Sequence, residues 1–364
     1  MRLSLTLSAY LGRRYLVGVL VTMFALLALV LLFDLIELTR RAADREEMNF
    51  GVAVAIAVLN LPILAQKVLP FAALFGGIFV FSRLTRNHEL VVARAAGVSV
   101  WQFLAPAVLI AVVVGIVVVS VLNPLSAVTA SRHDQLVAKY LRGQPNLLSV
   151  SPTGLWLRQV DPTGQSVIHA QSVSRQGLEL NDVIIFLYQG TDSFAGRIDA
   201  GSATLTAGLW QLKDVLVTSP DRPAEAHETY QLPTSLTLGQ IQDSFASPET
   251  LSFWALPKFI ALLKESGFAA LKHRLHWHSV ASLPLLLFAM VLIAATFSLR
   301  LTRRGGAGLV VASGVAAGFV LFFMSDLVFA LGLSGKIPAV LAAWSPAGVS
   351  TLIGLSLLFH LEDG

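Results

Sequence analysis

Arg83-Leu84-Thr85-Arg86-Asn87-His88-Glu89-Leu90-Val91-Val92-Ala93-Arg94-Ala95-Ala96-Gly97-Val98-Ser99 lies between two long hydrophobic runs. The segment is short, basic and amphipathic, as a cytoplasmic loop should be. Asn87 can cap a helix starting at His88, and Gly97 can end it. On such a helix Leu90, Val91 and Ala95 can pack into a cleft. Glu89, near the start, complements the macrodipole and is available to a partner arginine. The blander reading is an interfacial helix with a solvated charge.

The two flanking runs belong to a wider pattern. The chain has 364 residues, 55% of them hydrophobic and 13% charged, whereas soluble domains carry about 25% charged residues. It is an integral membrane protein. The formal net charge of +4 is modest, and arginines near helix ends suit membrane topology better than nucleic-acid binding. There is no cysteine, which excludes disulfides, thiolate metal sites and cysteine nucleophiles.

A bilayer core about 30 Å thick needs about 20 apolar residues in a helix. Runs of that kind fall near residues 15–36, 51–82, 100–122, 279–299, 307–331 and 338–360. No small-residue cleavage site follows the first, so it reads as a span and not as a removable signal. The second, about 48 Å long as a helix, exceeds a simple crossing. Pro62 and Pro70 offer kink points, and residues 51–61 are expected to lie tilted near the outer face. If the N-terminus is inside, the inner side receives Arg2, Arg13, Arg14, Arg83, Arg86, Arg94, Arg300, Arg303 and Arg304. The short outer loops then hold Arg40, Arg41, Arg45 and Lys336, which is nine against four. Both termini are therefore expected in the cytoplasm, with residues 123–278 outside.

Within that outer segment, residues 155–160, 166–173, 183–189, 197–207 and 209–218 are rich in β-branched and aromatic side chains. Turn signals such as Asp161-Pro162-Thr163-Gly164 and Gln189-Gly190-Thr191-Asp192 divide them. Short strands at this spacing predict a sandwich or jelly roll. Leu256, Phe259, Ile260 and Leu263 then recur at helical spacing, with Gly267 as a C-cap. The expected organisation is helices 1–3 over 1–122, with the cytoplasmic helix at about 87–97. A β-jelly-roll-like domain follows over 123–247, a helical connector over 248–278 and helices 4–6 over 279–364.

Charged residues at the outer end of span one form a second cluster. Asp34, Glu37, Arg40 and Arg41 follow the apolar run, and Lys67 lies inside span two. A charge at bilayer depth costs about 3 kcal/mol or more unless it snorkels, pairs or lines a wet cavity. Either Lys67 pairs with Asp34 and Arg40, Arg41, Asp44, Arg45, Glu46 and Glu47 form an ordinary mixed-charge loop, or Lys67 joins Arg40 and Arg41 as the cationic rim of an apolar cleft for an anionic lipid. Asp326, near the outer end of span five, lines the cavity or caps a helix. His273, His276 and His278 with Lys272, Arg274 and Trp277 read as an interfacial belt, and neither a metal nor a cofactor is expected. Gly314 and Gly318 form a small-xxx-small pair, facing either a partner helix or this chain's own core.

The chain resembles the LptF/LptG family, the inner-membrane permeases of the lipopolysaccharide-export ABC transporter. The resemblance covers essentially the whole chain. It rests on the three-plus-three spans around a β-domain, on Leu69-Pro70-Phe71-Ala72-Ala73-Leu74, and on Glu89-Leu90-Val91-Val92 with Ala96-Gly97. Ser325-Asp326 and Gly335-Lys336-Ile337-Pro338 resemble the LptG branch more than the LptF branch. The resemblance implies a heterodimer with a second, LptF-like permease on an LptB-like ATPase dimer. It also implies an LptC-like single-span partner and a periplasmic bridge that includes the β-domain. Asn87, Glu89, Leu90, Val91, Arg94 and Gly97 then belong to a coupling helix, with the glutamate facing the ATPase. Asp34, Glu37, Arg40, Arg41 and Lys67 would flank lipopolysaccharide phosphates, although family members often carry a lysine where this chain has Asp34. Lys67 could supply that charge.

No phosphate-binding loop, H-E-x-x-H or G-x-S-x-G motif is present, so ATP hydrolysis is expected on a partner subunit. Two other functions fit the topology. One is a permease for a different amphiphile, such as a lipoprotein. The other is a membrane-anchored periplasmic scaffold, for which a single span would suffice.

Overall fold

A computed structural model describes residues 5–42, 49–141, 155–161, 164–173, 179–189, 193–206, 208–220, 222–234, 247–265, 270–298 and 307–363. Among the described residues, six helices are long and apolar enough to cross a membrane. The first is α1 (Leu5–Ala42) and the second α2 (Phe50–Arg86). The short α3 (Glu89–Ala95) leads to α4 (Val100–Val117). A π-helical turn (Val118–Leu122) continues α4 directly into α5 (Asn123–Tyr140). After the strands come a 3-10 turn (Pro248–Thr250) and α6 (Leu256–Glu265). The remaining spans are α7 (Leu271–Ser298), α8 (Ala307–Leu333) and α9 (Ala339–Asp363).

Two differences from the sequence reading concern α2 and the third span. Helix α2 runs unbroken through Pro62 and Pro70 for 37 residues, about 56 Å at 1.5 Å per residue. The third span does not end at residue 122. Asn123, Ser126, Ala127 and Ala130 are buried on α5, and Pro124, in its first turn, needs no helical partner for its nitrogen. The turn signals at 162–163 and 190–192, the Gly267 cap, and Arg2, Arg45, Arg300, Arg303 and Arg304 lie outside the described residues.

The chain divides into two compact units. One comprises residues 1–141, 248–257 and 271–364 and holds the membrane core; the other comprises 142–247 and 258–270. The membrane core packs Tyr15 and Val19 of α1 with Ala72, Ala73, Leu74 and Phe81 of α2, Phe103 and Leu104 of α4, and Leu287, Val291 and Ala294 of α7. Glycine sets the closest approach. A Cβ on Gly76 would lie 2.8 Å from the Val19 Cα, so α1 and α2 touch through backbone. Gly318 of α8 faces Leu74 and Phe75, and Gly314 faces Ile78. The small-xxx-small pair is thus spent on α2 of the same chain. Near the α3 end of the bundle, Thr85 Oγ1 donates to the Ser298 carbonyl (3.1 Å) and Ser298 Oγ to the Ile78 carbonyl (3.3 Å), locking α2 to α7.

The second unit holds β1 (Leu155–Asp161), β2 (Gly164–Val173), β3 (Glu179–Gln189), β4 (Ser193–Thr206), β5 (Leu209–Ser219) and β6 (Arg222–Pro233). They form one antiparallel sheet in chain order. Its buried face carries Leu157, Ile168, Leu180, Val183, Ile185, Ile198, Ala200, Ala203, Trp210, Leu212 and Val215. Gln159 of β1 donates to the Pro233 carbonyl (2.8 Å) and accepts from Thr234 Oγ1 (2.6 Å), so the first strand meets the end of the last.

Strands β3, β4 and β5 share one irregular row. Asp182 and Asp214 have φ of 51° and 54°, and the pairings of β3 with β4 and of β4 with β5 step past Asp182, Gly201 and Asp214. The buried positions shift by one residue at this row in each strand: 180 to 183, 200 to 203, 212 to 215. The strand register is the same on both sides of this row, so the step in each strand is matched by its neighbour and the apolar set stays inward throughout.

Candidate functional site

The segment after α2 is built from three consecutive caps. Asn87 closes α2, its backbone N–H donating to the Arg83 carbonyl (3.0 Å). His88 takes φ 61° and precedes α3 without a side-chain cap. This corrects the expected N-cap: Asn87 ends one helix instead of starting the next, and its amide donates to the Glu89 carboxylate (3.4 Å). Gly97 ends α3 as its spacing predicts. With φ 82° at Gly97, the Val98 N–H reaches the Ala93 carbonyl (3.1 Å) and the Gly97 N–H the Arg94 carbonyl (2.9 Å), a Schellman closure. Ser99 and Gln102 then form a capping box that starts α4.

These caps fix which face α3 presents. Leu90 is 4% exposed and packs in the chain's own core, so it is not free to enter a partner's cleft. Val91 (43% exposed), Val92 (68%), Arg94 and Ala95 form the outward face. Val92 is thus an outward-facing apolar residue that the sequence pattern alone did not single out. The alternation was legible, because a seven-residue helix that buries position 90 must turn 91, 92 and 95 away. Glu89 accepts a hydrogen bond from Tyr10 of α1 (3.1 Å) as well as from Asn87. It joins α3 to α1 and is held within the chain.

At the opposite end of the spans, Glu37 bridges Arg40 (2.9 Å) and Arg41 (2.7 Å) one turn later on α1. Both guanidiniums are exposed. Asp34 accepts from Asn60 (3.4 Å). Lys67 pairs instead with Glu249 of the 3-10 turn (3.0 Å). The structure does not gather Asp34 and Lys67 into a pair, and it introduces Glu249, which the sequence reading did not single out. Asp326 is exposed on α8.

The same turn is held by a polar relay. The Phe253 N–H donates to Asn123 Oδ1 (2.7 Å), Asn123 Nδ2 to Gln66 Oε1 (3.3 Å), and Gln66 Nε2 to Ser126 Oγ (2.5 Å). Trp254 Nε1 donates to the Ser120 carbonyl (3.4 Å) inside the π-turn, a place where helices often widen for function. Phe253 stacks on Trp277 of α7 at 5.8 Å. Residues 248–254 thus form a strap fastened to α2, the π-turn and α7.

The family model for the lipopolysaccharide export system permeases LptF/LptG matches residues 9–360. The chain belongs to this family. It is 25% identical over 371 residues to the lipopolysaccharide export system permease protein LptG of Escherichia coli (strain K12), covering 97% of this chain and 98% of that protein. It is 23% identical over 358 residues to LptG of Haemophilus influenzae, covering 94% and 95%. Both relatives are LptG proteins, in keeping with the LptG-like residues of α8 and the turn after it. The chain is a multi-pass membrane protein of a permease family.

Proposed function

We propose that this chain is the LptG-like permease subunit of an ATP-driven ABC transporter. It extracts lipopolysaccharide from the bacterial inner membrane and passes it to a periplasmic bridge. The observation that carries the reading is the family match across 9–360, which spans the membrane core, α3 and the β-sheet together. Partners are a second, LptF-like permease, an LptB-like ATPase dimer and an LptC-like single-span protein. On this reading both termini and α3 are cytoplasmic, and the β-strands (155–233) and the connector (248–270) are periplasmic.

ATP-driven closure of the partner ATPase pushes on the face of Val91, Val92, Arg94 and Ala95. Glu89 transmits that push to α1 through Tyr10. The cavity between the two permeases narrows and expels the lipid toward the β-domain. Arg40, Arg41 and Lys67 form the cationic part of the rim, with Asp34 and Glu37 setting its local charge and Asp326 on the cavity wall. The test is gentle affinity purification of the tagged chain with mass spectrometry of what accompanies it. Recovery of a second six-span permease, a soluble ATPase and lipopolysaccharide is the expected result. Repeated recovery without an ATPase would overturn the reading.

A further inference from the structure

Two apolar grooves flank the end of α2 that leads into α3. One, about 670 Å³, is lined by Phe75, Phe79 and Val315 and includes Arg83 and Arg86. The other, about 230 Å³, is lined by Val17, Val21 and Phe79 and includes Arg14 and Arg83. Phe79, Arg83 and Asn87 line both. Phe79 is 63% exposed and stands as a ridge between them. Three guanidiniums accompany the grooves against one carboxylate, Glu89, which already accepts from Tyr10 and Asn87. Arg14 lies over the Tyr10 ring at 5.1 Å.

We propose that this place binds an anionic phospholipid of the cytoplasmic leaflet, one acyl chain on each side of Phe79 and the phosphate at Arg83. The proposal rests on the cytoplasmic placement of α3 but is separate from the export site at the other end of the spans. A two-chain lipid is the ligand that matches two adjoining apolar grooves under one shared cation. Guanidinium groups bind phosphate oxygens through paired N–H donors, and basic pockets between helices on this side of a membrane take anionic headgroups. A neutral bilayer lipid would fill the grooves without answering Arg14, Arg83 and Arg86. An apolar helix of a partner subunit would leave the same arginines unanswered.

The test uses the full chain with its co-purifying subunits in phosphatidylcholine nanodiscs doped with photoactivatable phosphatidylglycerol. Label is expected on peptides carrying Phe75, Phe79, Val315 and Val17, and unlabelled phosphatidylglycerol but not phosphatidylcholine should compete. Arg83→Gln should lower labelling about fivefold, the worth of one surface arginine toward an anionic lipid, while Arg83→Lys should retain most of it. Unchanged labelling in Arg83→Gln, equal labelling by a phosphatidylcholine probe, or crosslinks that join these residues to a second permease would each overturn the site. Because the chain lacks cysteine, Ala96→Cys reports the side directly. Its reaction with an impermeant maleimide on intact cells would refute the cytoplasmic placement, and the leaflet assignment with it. A protected Ala96→Cys with no lipid label would refute the lipid site alone.

Discussion

Lys67 and Glu249 form an ion pair, Nζ to Oε1 at 3.0 Å, between the second span and the strap that precedes α6. Their neighbours make the pairing consequential. Gln66, one residue earlier on α2, reaches the same strap through Asn123. Two consecutive side chains of one helix therefore hold the segment that carries the chain back to the membrane. The lysine inside an apolar run is explained by a partner far away in the sequence.

The pair itself adds little stability. Its side chains are 61% and 39% exposed, and pairs of that kind couple by about 0.2–1 kcal/mol. Its proposed role lies in what Lys67 can do when Glu249 lets go. Lys67→Ala should weaken crosslinking of lipopolysaccharide to the cavity, whereas Glu249→Gln should preserve or raise it by freeing the cation. Equal loss in both variants would mean that the strap, and not the lysine charge, matters.

Asn123 is a different case because it is 5% exposed and serves two partners. Asn123→Ala leaves the part-buried Phe253 N–H and Gln66 amide oxygen without this partner, at up to about 1–3 kcal/mol in all. A clear fall in the melting temperature of the purified chain is expected, larger than for Lys67→Ala. A melting temperature equal to that of the unaltered protein would show that water replaces the relay.

These contacts mark how far the sequence could be read. The spans were legible because apolar length is a local property. Strand β6 escaped because Pro223-Ala224-Glu225-Ala226-His227-Glu228 lacks β-branched residues and lies exposed along the sheet, so it shows no alternation. Helix α5 escaped because Arg132, His133 and Asp134 break the apolar run although the helix continues. The Lys67 partner could not be found by spacing at all. It depends on where the strap falls after the whole β-domain has intervened.

On α3, burial separates two roles that the sequence had merged. Leu90→Ala should cost about 2–5 kcal/mol, as buried leucines do, and lower the melting temperature. Val92→Asp should leave the melting temperature alone and abolish recovery of the partner ATPase. Glu89→Ala and Tyr10→Phe should keep the ATPase bound but uncouple hydrolysis from lipid release. Normal release at a normal ATPase rate in Glu89→Ala would remove the Tyr10–Glu89 link from the mechanism.

The irregular row of the sheet offers a test that does not depend on transport. Asp182 and Asp214 occupy left-handed backbone, which aspartate tolerates better than a β-branched residue. Both side chains are exposed, so substitutions there alter backbone strain without opening a cavity. Asp182→Val and Asp214→Val should each destabilise the sheet by about 1–3 kcal/mol, whereas Asp182→Gly and Asp214→Gly should be close to neutral. Limited proteolysis of the full chain reads the difference, with faster cleavage within 155–234 expected only for the valine variants. If valine and glycine proved equally mild, the left-handed residues would not be what sets this row. The one-residue shift of buried positions in β3, β4 and β5 would then need another cause.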